Sequence, residues 1–378
     1  MNSLRIGIDA SRVTAVRRTG TENYSLYLIR ALLELNSEKA KKTSPDTLTL
    51  YFNTPPSVDL FPQVSNYELR VMPFARLWTH LRLSTEMVAN PPDILFVPAH
   101  VLPIRHPRRS VVTIHDLGYL YYPETHPTLD RLYLKWSTAY NARCAMHIIT
   151  DSYSTKNDII QNLRVDPVKI SVVYPGASEE FQPVSEPNKI SGMRRKYGID
   201  GEYLLYLGTL HPRKNVIRLI DAYTKLWQYG RVKARLVLAG KKGWLPHEIF
   251  QRIKRAKAPI SLTGFFPPED LSLLMSGATA FIMPSLYEGF GLPVLEAMRC
   301  GTPVIVAKAS SLPEVVGDAG IQFDPLDVDD MAEAIYEVLN NDDLRHFLRE
   351  KGLEQAKKFT WDSAAEITLS LLRQIARY

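Results

Sequence analysis

Two carboxylates, a pair of adjacent cations and a histidine–aspartate pair stand in this 378-residue chain where chemistry could be done. Glu288 and Glu296 are separated by G-F-G-L-P-V-L. Gly289 and Gly291 have no Cβ, so a ligand can approach the backbone closely there. Backbone N–H groups leading into the following helix form a site for anionic or hydroxylic oxygen. The stretch between the glutamates is a bent loop, so they are expected to meet different parts of one elongated ligand. Arg213 and Lys214 lie in G-T-L-H-P-R-K-N, after the apolar run Y-L-L-Y-L. Two neighbouring cations before a helix start make a diphosphate clamp: Arg forks onto oxygens and Lys supplies a point charge. His115 and Asp116 end another apolar run, S-V-V-T-I-H.

The elements that must hold these groups follow from hydrophobic pattern. Residues 278–283 and 303–307 read as short buried strands. The helix between them opens at Pro293, where a missing N–H costs nothing, and ends at Cys300 before Gly301. Glu296 then falls in its first turn. This is a β-loop-α-β unit with its loop at a strand's carboxyl end, where open α/β sheets bind ligands. Further strands are predicted over 4–8, 47–52, 93–97, 110–115, 146–150, 170–173, 203–207, 235–239 and 260–262. Thr19 and Glu22 form a capping box for a helix to about Leu35. No G-x-G-x-x-G is present, so this is not a dinucleotide fingerprint. The Pro- and Gly-punctuated segment 175–201 reads as an interdomain linker. The fold class is α/β, with two Rossmann-like domains: 1–185, joined by a terminal amphipathic helix over 361–378, and 186–360.

The run P-S-L-Y-E-G-F-G-L-P-V-L-E-A-M-R-C-G-T-P-V-I resembles the E-x7-E signature of retaining glycosyltransferases of family 4. The resemblance covers nearly the whole chain and is most specific in its second half. It implies the GT-B architecture, with the two domains facing a cleft and the last helix crossing back to the first. It further implies hexosyl transfer from a nucleotide sugar. Glu288 would hold sugar hydroxyls and Glu296 the ribose diol. Arg213, Lys214 and the amides of Gly289, Phe290, Gly291 and Leu292 would meet the diphosphate, with Gly208 in the same phosphate-binding segment. Phe265 would lie at the base. His115 would contact the transferred sugar from the opposite domain. The usual glycine-rich first loop is reduced here to Gly20 and Thr21, for which donor contact and a plain capped helix are both open. Expected partners are a UDP-sugar or GDP-sugar donor, with UDP-glucose first and GDP-mannose the alternative, and a sugar or lipid-linked sugar acceptor in polysaccharide or glycolipid assembly.

Composition narrows the alternatives. A chain this long with 45% hydrophobic residues suits two domains. No run of about 18 apolar residues offers a membrane span. The start reads as a strand rather than a signal peptide, and Cys144 and Cys300 give no disulfide framework, so a cytoplasmic setting is expected. Net charge is +6, with 20 basic and 17 acidic residues before 185. Without a basic tail or arginine-rich run this is no dedicated nucleic-acid binder. It suits an anionic substrate or peripheral attraction to an anionic membrane. Tyr119, Tyr122 and the helix near 130–143 combine aromatic and basic residues; a membrane- or acceptor-facing surface and core packing with snorkelling bases are both open. Asp327 and Asp329 form a D-x-D, a metal motif elsewhere. At a helix start they are explained by capping, so no metal or other cofactor is expected. A glycoside hydrolase using the two glutamates would have no use for the Arg213–Lys214 clamp, and a non-catalytic sugar-binding protein would be exported.

Overall fold

The computed structural model describes residues 3–15, 18, 20–40, 46–99, 101–125, 127–240, 246–264 and 266–377. The chain divides into two compact units. The first comprises Met1–Leu120, Pro127–Gly176 and Thr360–Tyr378; the second, Tyr121–His126 and Ala177–Phe359.

Among the described residues seven strands build the first unit: β1 (Arg5–Asp9), β2 (Thr47–Phe52), β3 (Tyr67–Val71), β4 (Ile94–Val97), β5 (Ser110–Ile114), β6 (His147–Thr150) and β7 (Ile170–Val172). All pair in parallel in the order β3-β2-β1-β4-β5-β6-β7. The central strands are largely apolar because helices cover both faces of a parallel sheet; β4 and β5 are buried at every position. The last helix, Trp361–Arg377, packs through Ala365, Leu369 and Leu372 into the same core as Leu28, Ile29 and Leu32 of the helix Gly20–Ala40. Arg373 pairs with the buried Asp46 at 2.7 Å. Gly176 makes the close approach possible, since a Cβ there would lie 2.4 Å from the Trp361 nitrogen. The expected return of the last helix to the first unit is therefore present.

Among the described residues six strands build the second unit: β8 (Tyr203–Leu207), β9 (Arg235–Ala239), β10 (Ile260–Gly264), β11 (Ala280–Met283), β12 (Val304–Ala307) and β13 (Gly320–Phe323). Their order, β10-β9-β8-β11-β12-β13, is the doubly wound arrangement, with its switch point between β8 and β11. Phe281 lies opposite Leu205 across that junction. The loops carrying Arg213–Lys214 and Glu288 leave the carboxyl ends of those two strands.

Several expectations need correction. The segment 175–201 is not a linker. It holds the helix Pro187–Tyr197, begun by its proline and ended by Gly198 at φ 63°. Lys196 and Tyr197 both bond Asp270, fixing this helix in the second unit. β3 and β13 are strands that the sequence pattern did not reveal, one exposed at a sheet edge and the other only four residues long. Thr19, the expected cap of the first long helix, lies outside the described residues. No helix among the described residues is long and apolar enough to cross a membrane.

Candidate functional site

In the second unit the two switch-point loops are tied together. Leu286 N–H donates to the Arg213 carbonyl at 2.9 Å, and Arg213 Nη1 donates to the Tyr287 carbonyl. Lys214 Nζ lies 2.5 Å from Glu288 Oε1, with Arg213 Nη1 3.5 Å from the other carboxylate oxygen. All three side chains are largely buried. Burial alone would raise the Glu288 carboxyl; the two cations outweigh it and hold it below the usual glutamate value. Arg213 and Lys214 occupy a single 3-10 turn, Pro212–Lys214, set by His211, whose ring accepts from Arg213 N–H. Asn215 ends that turn at φ 58° and is locked by its amide bonding the Pro325 carbonyl at 2.7 Å.

Gly291 has φ 110°, and a Cβ there would lie 2.8 Å from the Leu312 side chain. It caps the helix Leu292–Arg299, whose leading N–H groups have no intrahelical acceptor. Gly240, at φ 137°, lets the loop after β9 press on Gly208, whose carbonyl would be 2.0 Å from a Cβ. Phe290 is a different case: its ring is buried edge-on against Phe359, leaving only its backbone to offer a ligand.

Glu296 is the fifth residue of its helix, in the second turn rather than the first, because the helix opens one residue before Pro293. It keeps some exposed surface. Burial pushes its carboxyl up to about 7. The two glutamates thus differ: one is gripped by cations that lower it, the other is raised to about 7 by burial.

Ser310 and Ser311, at the end of β12, escaped the sequence reading. Ser310 Oγ donates to the Glu288 carbonyl at 2.6 Å. Ser311 Oγ lies 2.9 Å from the same carbonyl and 2.8 Å from that of Phe290. They brace the glycine loop from behind. Their place at a strand's carboxyl end was the available signal. Tyr121 stacks on Tyr287 with centroids 5.2 Å apart, which draws the short segment 121–126 into the second unit.

In the first unit His115 is held by both ring nitrogens: Nδ1 is 2.6 Å from Asp151 Oδ2 and Nε2 is 3.0 Å from the Pro98 carbonyl. The Pro98 carbonyl accepts, and so does Asp151 as a carboxylate, so this arrangement suits the protonated ring, in which both nitrogens donate. Burial opposes that charge, but Asp151 and Asp116 outweigh it and raise the histidine above its ordinary value. Asp116 accepts from Gly118 N–H at 2.8 Å. Gly20 and Thr21 open an exposed helix end, and a Cβ on Gly20 would meet nothing within 4 Å. Phe265 lies outside the described residues. The D-x-D is a cap: Asp327 accepts from the N–H groups of Asp329 and Asp330, and Asp329 pairs with Lys225. A cavity of about 550 Å³ at the carboxyl ends of β1 to β3 is lined by Ser11, Arg12, Thr54, Arg76, His80 and Tyr133, among others.

Residues 19–181 match the model of the family described as Glycosyltransferase Family 4. Residues 191–355 match that described as Glycosyl transferases group 1. The O-antigen chain mannosyltransferase B of Escherichia coli is 33% identical over 372 residues, covering 93% of this chain and 95% of that relative. Among solved structures, Anabaena Alr3699/HepE in complex with UDP and glucose aligns with a TM-score of 0.73 at 19% identity, over 98% of this chain and 100% of that one. WaaG, a glycosyltransferase involved in lipopolysaccharide biosynthesis, aligns with a TM-score of 0.71 at 17% identity, over 98% and 99%.

Proposed function

Because the chain belongs to the GT-B glycosyltransferases, with family 4 in its first half and group 1 in its second, we propose that it moves a mannosyl group from a GDP-sugar to an acceptor hydroxyl in polysaccharide assembly. The relative aligned over nearly the full length carries mannosyltransferase in its name, and this favours the alternative donor over UDP-glucose. The E-x7-E pattern supports transfer with retention of configuration.

The observation that carries the reading is the Arg213–Lys214–Glu288 cluster at the switch point of the second sheet. When the donor's glycosidic bond breaks, negative charge grows on the leaving diphosphate. Arg213, Lys214 and the leading amides of the helix Leu292–Arg299 are preorganised to receive it in a place largely closed to water. Glu288 accepts from sugar hydroxyls while keeping Lys214 in place. Glu296 accepts from the ribose diol. The departing phosphate oxygen takes the acceptor proton, so no protein base and no metal is required. The cavity lined by Arg12, Arg76 and Tyr133 receives the acceptor.

The test is release of nucleoside diphosphate from GDP-mannose, UDP-glucose and their epimers, in EDTA, with the product anomer read by NMR. GDP release with an α-linked product from an α-donor is expected. Release from UDP-glucose alone would overturn the donor, and cleavage of glycosides without nucleotide would overturn the reaction class.

A further inference from the structure

The helix Thr128–Cys144 is turned inside out. Its buried face carries Ser137, Thr138, Asn141 and Ala142. Its outward face carries Leu129, Leu132, Tyr133 and Trp136, at the i, i+3, i+4, i+7 spacing of one helical stripe. Leu129 is 80% exposed and Leu132 55%. These positions are therefore not core.

The apolar surface continues onto neighbouring elements of the same unit. His80 meets Tyr133 at 3.1 Å and sets its ring edge-on to Trp136. Trp136 stacks on Tyr140, whose hydroxyl donates to the Pro103 carbonyl. These contacts join the stripe to Leu77 and Leu81 on one side and Ile104 on the other, all exposed. Leu77 is also held at φ 55°, in the left-handed region that a large side chain rarely adopts. Strain at an exposed leucine gains nothing in packing and points to a use outside the unit. Arg76, Arg105, Arg131 and Lys135 stand around the surface, and Asp130 is the one acid in the helix.

We propose that this face docks on the surface of a bilayer containing anionic lipids. The apolar and aromatic side chains enter the interface while the bases meet lipid phosphates. Three features favour a bilayer over a protein partner. Leucine lies beside tryptophan and tyrosine, as in interfacial helices. The charged side chains around it are mainly basic, Arg76, Arg105, Arg131 and Lys135 against Asp130. The cavity of about 550 Å³ shares Leu77, His80 and Tyr133 with the face, so it opens beside whatever the face rests on. Resting on the reading given above, this makes the acceptor a saccharide borne on a lipid, presented to the cavity from the same surface.

Flotation with vesicles tests the docking without any turnover. The full chain should float with vesicles of equal phosphatidylglycerol and phosphatidylcholine at low salt and remain behind with phosphatidylcholine alone. Leu129→Ser with Leu132→Ser should weaken flotation about ten-fold or more. Arg105→Glu, which changes two charges, should weaken it by about twenty-fold at low salt and far less at high salt. Melting curves check that both variants fold. Equal partition of wild type onto the two vesicle types, or undiminished flotation of the folded leucine variant, would overturn the proposal. So would a dimer in light scattering that the leucine changes dissociate while flotation stays unchanged, because the face would then join two copies of the chain. If docking holds but no nucleotide sugar is cleaved, the function fails and the surface stands.

Discussion

Replacing Glu296 with glutamine keeps the size of the side chain and removes its charge. On folding, burial raises this carboxyl from 4.5 to about 7. A carboxyl raised in this way is favoured when protonated. Its contribution is fully present below about pH 4.5 and is lost as pH rises towards 7. The shift of about 2.5 pH units corresponds to ~3 kcal/mol at pH 8, an upper bound because part of the residue meets water. Glu296→Gln should therefore melt at the same temperature as wild type near pH 4.5, but several degrees higher at pH 8, since about 1 kcal/mol moves a domain of this size by about 2–4 °C. Binding should change in the opposite sense. A charged acceptor for ribose hydroxyls contributes about 1.5–3 kcal/mol, so affinity for the free nucleoside diphosphate should fall by about one to two decades. In wild type that affinity should rise roughly ten-fold from pH 6 to pH 8 as the carboxyl ionises, and in the variant this rise should vanish. Scanning fluorimetry at the two pH values and calorimetric titration of the diphosphate are the assays. A variant that melts below wild type at pH 8, or that binds the diphosphate equally well, would refute the reasoning.

Lys214→Ala should weaken diphosphate binding and also destabilise the protein by about 3 kcal/mol, because it strips a partner from buried Glu288; adding Glu288→Ala should recover stability in denaturant melts without recovering binding. Donor cleavage should persist in excess EDTA, and Asp327→Ala should cost about 1 kcal/mol of stability as a lost helix cap while turnover is kept; loss of turnover on chelation, restored by Mg²⁺, would contradict this. His115 should show two ring N–H signals by NMR at pH 6, below its ordinary value. Its stabilising charge is fully present below about pH 6.5 and lost only as pH rises through its raised value, so Asp151→Asn should remove one signal and that pH dependence together.

How much of this was legible in the sequence depends on whether a residue's neighbours lie close along the chain. The strands at the centre of each sheet were readable because parallel strands buried on both faces are unbroken apolar runs, as in Tyr203–Leu207. The edge strand Tyr67–Val71 is mostly exposed and gave no such run. The helix Pro187–Tyr197 was hidden by the prolines and polar residues around it; what fixes it is Asp270, far along the chain. Glu288, Arg213 and Lys214 announced themselves by type and by position at strand ends. That they pair with one another in a buried cluster needed the fold, since 75 residues separate Arg213 from Glu288. The inverted helix Thr128–Cys144 is the strongest case. Its leucines and aromatics read equally well as core, and only the small polar residues on its buried face show which way it is turned.

The charge count at the switch point explains why a helix terminus belongs there. Arg213 and Lys214 bring two positive charges and Glu288 removes one, so the cluster is left singly positive. The diphosphate of a sugar nucleotide carries two negative charges, and a third develops as the sugar leaves. On the function proposed above, the side chains alone would not balance the bound donor and would fall further short at the transition state. The partial positive charge at the start of the helix Leu292–Arg299 lies on the same loop as Glu288. It costs no desolvated cation and no rearrangement as the leaving group's charge grows. Gly291 supplies the φ of 110° that starts the helix there, and on the function proposed above Ser310 and Ser311 would keep the loop from shifting as Lys214 is shared between Glu288 and the phosphate. Preorganised in this way, the terminus would act most strongly on the last increment of charge, which appears only as the bond breaks.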